Sequence, residues 1–385
     1  MRADVIPVSA LGEDDLASWR RLASDAIVPN PYADPDFVRP SMRAWRADHV
    51  HMLVVRAGSE WLAALPVRHA WFHRGVPGRC LAVWRHSYCY LGTPLVAPGH
   101  PQAALECMIA GALRVAGCLS LDWIDADGPL AEPLTAALEA TSRPVIFEEF
   151  ERGALERHDQ DDYLSRALSS RHRSEYRRRL RLLEGEVGSL ALRDDSLEPA
   201  AYERFLALER SSWKGAAGTA LDVRPGHGAF FTDICGAFAG SGRLTLLSLG
   251  NEARTVAMMC NLVAGDTSFG FKLAFDESLR RYGPGVQLLI AYMSHFHAGP
   301  LARLDSGSDE ENPTVNRLLV DRRALRTVVA TARNAAGRLD RAKWLAAGAT
   351  LPAGRRLIAR SRAPAAGRPA GGGRPATGAR NLSRN

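Results

Sequence analysis

No run of 18 or more apolar residues occurs in the 385-residue chain, so no membrane-spanning helix is expected. The nearest such run, Leu105 to Leu121, is interrupted by Glu106 and Arg114. The first fifteen residues, MRADVIPVSALGEDD, lack the apolar centre of a secretory signal, and a cytoplasmic protein is expected. Six cysteines are present (Cys80, Cys89, Cys107, Cys118, Cys235 and Cys260), with no C-x-x-C spacing. They read as reduced, small core residues, which excludes a disulfide frame and a thiolate zinc site. His295 and His297 fall two apart on a helix, where side chains diverge, so no shared metal is expected. Lysine is scarce, 3 against 46 arginines, which with the abundant alanine suggests a GC-rich bacterial coding sequence.

The last 35 residues, Leu351 to Asn385, contain eight arginines and neither an acid nor an aromatic. Those eight charges exceed the net charge of +7 and leave the rest of the chain at −1. Its Arg/Gly/Pro/Ala composition cannot repay the entropy of ordering, so it reads as disordered. An anionic partner, nucleic acid or lipid, would bind such a tail weakly by counterion release, without aromatic stacking.

The remaining composition, with 46% hydrophobic and 24% charged residues overall, is that of a soluble globular protein with about two domains. In residues 1–155, helices are expected at Asp14–Ala26, up to Trp45, at Pro101–Ala116 and at Leu130–Thr141. Strands are expected at His51–Arg56, Glu60–Arg68, Cys80–Trp84, Ser120–Ile124 and Val145–Phe150, with Gly58 turning the first hairpin. In residues 156–346 a helix is expected at Asp161–Glu184, with Leu164, Leu168, Tyr176, Leu180 and Leu183 as its buried stripe and arginines on its other faces. Those arginines are either a solvated face or an anion-collecting surface. Helix Pro199–Trp213, a flexible loop Lys214–Leu221, helix Gly228–Ala239 and strands Leu244–Leu249 and Arg254–Val263 follow. Strands at Ala302–Asp305 and Leu325–Val329, and helices near Val315–Leu319 and up to Ala346, close the body. Interleaved strands and helices argue a mixed α/β fold. Both halves run through helices, a hairpin, a helix and further strands, as a duplicated domain would.

The second half is organised around Ser268–Ala298. Phe269, Phe271 and Leu273 alternate as in a strand, and Val286, Leu289, Ile290, Met293 and Phe296 recur at helical spacing. Between them lies Arg280-Arg281-Tyr282-Gly283-Pro284-Gly285. A strand, a glycine-rich turn and a helix aim free N–H groups and the helix dipole at the turn, which suits a phosphate. The same residues also satisfy the bare requirements of a tight turn.

Arg280-x-x-Gly283-x-Gly285 resembles the pattern with which GNAT acyltransferases hold the pyrophosphate of coenzyme A. Further pieces resemble the CelD/BcsL-like branch of that superfamily, whose architecture is similar to the FemAB-type tandem. They are Pro31-Tyr32-x-x-Pro35-x-Phe37, Tyr90 to Val96, Arg178-Arg179-Leu180, Ser212-Trp213-Lys214-Gly215 with Gly218 to Leu221, and Phe271 to Glu277. The likeness spans about residues 1–345 and implies two tandem GNAT-like domains, each a mixed twisted sheet flanked by helices. The first (1–155) would be degenerate, the second (156–346) would be the acyltransferase, and 347–385 would be the disordered tail. Two departures stand out. The segment Ser306–Arg317 after the strand ending at Asp305 has no lysine, and no tyrosine follows Tyr292.

The resemblance implies transfer of an acyl group from acyl-CoA to an amine of a small molecule, sugar or cell-envelope precursor, without a metal. The expected cofactor-binding residues are Arg280, Arg281, Gly283, Gly285 and Val286. Asp276, Glu277 or Asp305 would serve as base and Tyr282 or Tyr292 as thiolate donor, though each carboxylate can equally be a turn or cap residue. Trp213, Lys214 and Lys272 are the substrate-binding candidates; Trp213 packs in the core on the other reading, and Lys272 is otherwise a snorkelling edge residue. Transfer from aminoacyl-tRNA and a non-catalytic module in polysaccharide assembly are the alternatives.

Overall fold

The computed structural model describes residues 1–157, 163–308 and 310–350. Of the predicted tail, 347–349 instead end the last helix and 351–385 lie outside the described residues, as do Asp161 and Asp162 at the start of the predicted helix.

The first half begins with β1 (Arg2–Pro7), α1 (Glu13–Asp25) and α2 (Pro35–Trp45). The antiparallel strands β2 (Val50–Ala57), β3 (Glu60–His73) and β4 (Val76–Val83) follow, then the short β5 (Leu95–Val96). Helix α3 (Pro101–Ala116), β6 (Cys118–Asp125), α4 (Ala131–Thr141) and β7 (Arg143–Glu156) complete it. The second half opens with α5 (Tyr163–Ala167) and α6 (Ser170–Val187). Then come β8 (Ala191–Asp194), α7 (Pro199–Ser211), the one-turn α8 (Trp213–Ala216) and α9 (His227–Gly240). Three antiparallel strands, β9 (Leu244–Gly250), β10 (Thr255–Ala264) and β11 (Thr267–Phe275), lead to α10 (Pro284–Ala298) and β12 (Arg303–Asp305). Helix α11 (Pro313–Leu318), β13 (Asp321–Thr331) and α12 (Ala335–Ala349) end the described chain.

All strands lie in one sheet, ordered β1-β2-β3-β4-β6-β13-β7-β12-β11-β10-β9-β8, with β5 on β3. The order is nearly a palindrome in structure. Each half contributes an edge strand, three antiparallel strands and one parallel neighbour, β6 beside β4 and β12 beside β11. Those are the two parallel contacts among the described strands. At the centre, β13 returns from the end of the chain and inserts between β6 and β7. Trp344 of α12 packs on Phe147 of β7 at 5.3 Å. The break expected near residue 155 is thus a point in the sequence, not a break in the sheet.

An aromatic core joins the halves. Tyr32, Phe37, Tyr88 and Leu91 from the first half pack with Phe205, Phe230, Phe231, Phe269 and Phe271 of the second. At about 1.5–3 kcal/mol for each fully buried large side chain, this cluster opposes separation of the halves.

Several elements differ from the sequence reading for identifiable reasons. Ser169 caps α6, its Oγ accepting the His172 N–H at 3.3 Å, so the single predicted helix from Asp161 is split at Leu168–Ser169. Of its predicted stripe, Leu168 and Leu183 are fully buried, whereas Leu164, Tyr176 and Leu180 are partly covered. The predicted loop after Trp213 begins as α8, capped by Ser212. Strands β1 and β8, at the two sheet edges, were not anticipated. Strand β7 runs to Glu156 rather than Phe150, because its polar second half is held on both sides, by β12 and β13.

Candidate functional site

Strand β11 carries a bulge at the middle of its pairing with β10. Cys260 faces Lys272 and Asn261 faces Gly270, leaving Phe271 without an opposite residue. The extra residue switches the alternation of faces. Phe269 and Phe271 join the aromatic core, whereas Leu273 and Phe275 join the cluster under α10. The three residues expected on one face are therefore divided between two, and Lys272 emerges beside Phe271 toward the first half.

On its other side, β11 pairs with β12 only from Thr267 to Phe269. Gly270 and Gly307 mark the point of divergence. A Cβ on Gly307 would stand 2.1 Å from the Gly270 carbonyl, and one on Gly270 2.4 Å from that of Ser306. Beyond them the β12 side of β11 has no strand partner among the described residues.

The start of α10 lies at the end of this strand. Gly283 sits in the left-handed region (φ 67°, ψ 53°) and Pro284 opens the helix. The N–H groups of Val286 and Gln287 both donate to the Gly283 carbonyl, at 2.9 and 3.1 Å. The Gly285 N–H has no partner among the described residues. A Cβ on Gly285 would lie 2.9 Å from Leu273 Cδ2, so this glycine is required first for helix–strand packing. The predicted turn is itself a 3-10 helix, Glu277–Tyr282, capped by Asp276. Arg280 reaches Glu277 at 3.3 Å, and Arg281 reaches Glu186 of α6 at 2.5 Å.

The other candidate side chains are held as follows. Asp276 accepts the Ser278 N–H at 3.0 Å and pairs with Arg254. Partial burial raises its pKa, but the hydrogen bonds from Ser278 and Arg254 outweigh this and hold it below the ordinary value. Asp305 is buried between Arg152 (2.5 Å) and Arg323 (2.8 Å), which overcome the cost of burial and keep it ionised. The sequence offered these two carboxylates as bases; the structure gives them capping and ion-pairing partners. Glu277 keeps one buried oxygen, Oε2, without a partner among the described residues. Tyr282 donates its hydroxyl to Glu186, and buried Tyr292 donates to Ser268 Oγ at 2.9 Å.

Trp213 is 52% exposed, not a core residue. Lys214 donates to the Leu273 carbonyl at 2.7 Å and to the fully buried Glu209 at 3.1 Å, which ties α8 to the unpaired edge of β11. The Lys272 ammonium lies 4.0 Å from the Tyr88 ring centroid, and burial lowers its pKa to about 8. Tyr88 Oη lies 3.0 Å from His227 Nδ1. Burial, then Arg224 and Lys272, lower the His227 pKa. His86 is neutral, pushed by burial to about 3. Sequence reasoning passed over Arg85, His86, Tyr88, Trp123, Glu209 and His227; the one signal was the density of His, Tyr and Cys in 85–92.

The corresponding opening of the first half is closed. Strands β4 and β6 pair only at Leu81–Leu119 and Ala82–Ser120, and the chain at Leu91–Thr93 lies alongside β6 beyond that point. Gly92 donates to the Trp123 carbonyl at 2.9 Å, and Thr93 Oγ1 accepts the Asp125 N–H at 2.8 Å. A Cβ on Gly92 would stand 2.1 Å from the Asp122 carbonyl.

Residues 170–312, from the start of α6 to the residue before α11, match the acetyltransferase (GNAT) domain family. The chain carries a GNAT acyltransferase domain. Among solved structures, the chain is similar to FemX, with 10% identity, a TM-score of 0.55, and 88% of this chain and 99% of that chain covered. It is also similar to L-PGS from Bacillus licheniformis, with 9% identity, a TM-score of 0.50, and 88% and 97% covered. At these identities the likeness is one of fold. No curated protein sequence matches the chain. The mixed α/β architecture expected of a FemAB-type tandem is the one observed, and no helix among the described residues is long and apolar enough to cross a membrane.

Proposed function

We propose that this protein is a cytoplasmic N-acyltransferase whose GNAT domain moves an acyl group from acyl-CoA onto an amine by direct attack. The observation that supports this most is the contrast between the two openings. The one between β11 and β12 has an unpartnered N–H, that of Gly285, at the start of α10. Its counterpart in the first half is filled by Leu91–Thr93. On this reading the pantetheine arm adds along the free edge of β11, as an extra strand would. Its pyrophosphate meets the start of α10 at Gly283, Gly285 and Val286, with Arg280 and Arg281 releasing their surface carboxylates to it.

The thioester carbonyl then lies near the bulge, where a backbone N–H polarises it. The amine nitrogen forms its bond to the carbonyl carbon, the carbon–sulfur bond breaks, the amine gives up a proton to a base, and the thiolate takes one. Of the three carboxylates proposed as base, Asp276 and Asp305 have their lone pairs committed to guanidinium groups. Glu277 keeps Oε2 unpartnered among the described residues, but it and Tyr282 belong to the turn given to the pyrophosphate rather than to the bulge. Neither is therefore assigned the proton transfer, and bound water serves as base. Trp213, Lys214 and Lys272 border the acceptor side.

Calorimetric titration of acetyl-CoA into the full chain tests the reading. We expect one site per chain, with affinity reduced at least ten-fold in Gly285→Val, whose side chain would push the start of α10 off Leu273 and Phe275. No binding by the wild type at millimolar acetyl-CoA would refute it. Transfer from aminoacyl-tRNA is the second reading, favoured by the exposed Arg171, Arg177, Arg178 and Arg181 on α6. Binding of tRNA in place of acetyl-CoA would select it.

A further inference from the structure

A cleft of about 1020 Å³ lies between the halves, beside Gly307 and the divergence of β11 from β12. One wall is the 85–90 loop with Trp123 and Phe150; the other is Gly307, Ser308 and Glu310 to Pro313. The two walls have opposite chemistry.

The first wall presents donors. Arg85 lies 3.5 Å above the Trp123 ring and spends Nε and Nη2 on one acceptor, the Cys89 carbonyl, at 3.3 and 3.1 Å. It pairs with no carboxylate among the described residues, and burial lowers its pKa. The Trp123 indole N–H, which can only donate, is buried without a partner among the described residues. His86 Nδ1 accepts the Tyr88 N–H at 3.3 Å, so in the neutral ring Nε2 bears the proton. That Nε2–H is also buried and has no partner among the described residues. Buried donors of this kind cost free energy unless something accepts from them.

The position of Trp123 is itself unusual. It sits at a bulge of β6 against β13 with φ 57°, a left-handed conformation that a bulky residue seldom adopts. The bulge accompanies the placement of its indole against Arg85 at the cleft wall. Across the cleft, Glu310 and Glu311 line the second wall.

The geometry points to a binding site for an amine that also bears an anionic group. The carboxylate or phosphate is received by Arg85, His86 and Trp123, and the ammonium is drawn toward Glu310 and Glu311. This inference rests on the proposed transferase reading only in naming the amine as acceptor; the anion site stands on the donors themselves.

Two matched pairs of probes distinguish carboxylate from phosphate: L-alanine against L-alaninamide, and glucosamine 6-phosphate against glucosamine. Each is titrated into the full chain by saturation-transfer NMR, without acyl-CoA, so that failure here and failure of acetyl-CoA binding are separate results. We expect the member of at least one pair that bears the carboxylate or phosphate to bind at least ten-fold tighter than the amine that lacks it. Arg85→Met should erase that preference and Arg85→Lys should keep part of it. Equal binding within both pairs, no binding of any probe at tens of millimolar, or a preference unchanged in Arg85→Met would overturn the proposal. Should Arg85→Met lack a folded circular dichroism spectrum, Trp123→Phe decides. It removes the indole N–H together with the five-membered ring, and an unaltered preference in that variant overturns the assignment.

Discussion

Replacing Asp305 by Asn separates a structural role for this carboxylate from a catalytic one. Asp305 and Arg152 are 2% and 1% exposed at their side chains, and Arg323 completes the group from β13. An amide cannot balance two guanidinium charges. Arg323 would keep Asp125 at 3.0 Å, but Arg152 would retain only the Tyr90 carbonyl at 2.7 Å, with its Nε already unpartnered. Stranding one buried charge in this way costs about 3–5 kcal/mol. Urea unfolding at pH 7 should show that loss as a lower midpoint with an unchanged slope. The sign with pH follows from the lowered pKa of Asp305. A carboxylate whose pKa is lower folded than unfolded contributes fully above its unfolded value, near 3.8, and the contribution is lost as pH falls through the folded value. The gap between wild type and variant should therefore be constant from pH 5 to 8 and shrink below about pH 4. Removing the orphaned charge as well, in Asp305→Asn with Arg152→Met, should recover part of the loss. A penalty under about 1 kcal/mol at pH 7, with turnover abolished, would refute this account and return Asp305 to the list of bases.

Two further substitutions probe the neighbourhood of β11. The fall of the Lys272 pKa from 10.5 to about 8 corresponds to roughly 3 kcal/mol as an upper bound. The folded state resists protonation, so the penalty is complete below pH 8 and disappears as pH rises toward 10.5, where the unfolded chain also loses the proton. Lys272→Met should stabilise the protein at pH 7 and lose that advantage by pH 10.5; a wild type with flat stability between pH 8 and 10 would contradict the assignment. Gly283→Ala should cost about 1–2 kcal/mol in the same assay, because its φ of 67° is left-handed while its Cβ would meet Val286 only at ordinary contact distance. No measurable loss would mean that the turn relaxes to another conformation.

The parts of this architecture legible in the sequence were those encoded by local period. The 3.6-residue spacing from Val286 to Phe296 and the Gly283-Pro284 start locate α10, and Gly58 locates the β2–β3 hairpin. The edge strand β8, ALRD, was missed because its four residues include no buried one, so no alternation marks it. The bulge at Phe271 was missed because Phe269, Phe271 and Leu273 satisfy a two-residue period whether or not the chain slips by one. Only the opposing residues on β10 reveal the slip. Site residues followed the same division. Gly283 and Gly285 could be singled out from a short pattern, although Gly285 packs against Leu273 as well as bordering the turn. Arg85, His86, Tyr88 and Trp123 could not, because the residues opposite them lie more than a hundred positions away: Gly307, Ser308 and Glu310 to Pro313 across the cleft, and His227 beside Tyr88. Asp276 and Asp305 looked free in sequence for the same reason: Arg254, Arg152 and Arg323 are brought to them by sheet pairing alone.

The near-palindromic sheet raises the question of why one opening is filled and the other is not. The answer lies in a single segment. Residues 91–93 occupy the first half's opening, through Gly92 on Trp123 and Thr93 on Asp125. Residues 85–90 of the same segment form the first-half wall of the cleft facing the second opening. Withdrawing 91–93 to vacate the first opening would also withdraw Tyr90 from Arg152 and Tyr88 from Lys272 and His227. Closing the first opening and walling the second are therefore one structural commitment. On the proposed reading, that commitment leaves the acyl donor one of the two equivalent openings, the one with the second half of the protein on one side and the 85–90 loop of the first on the other.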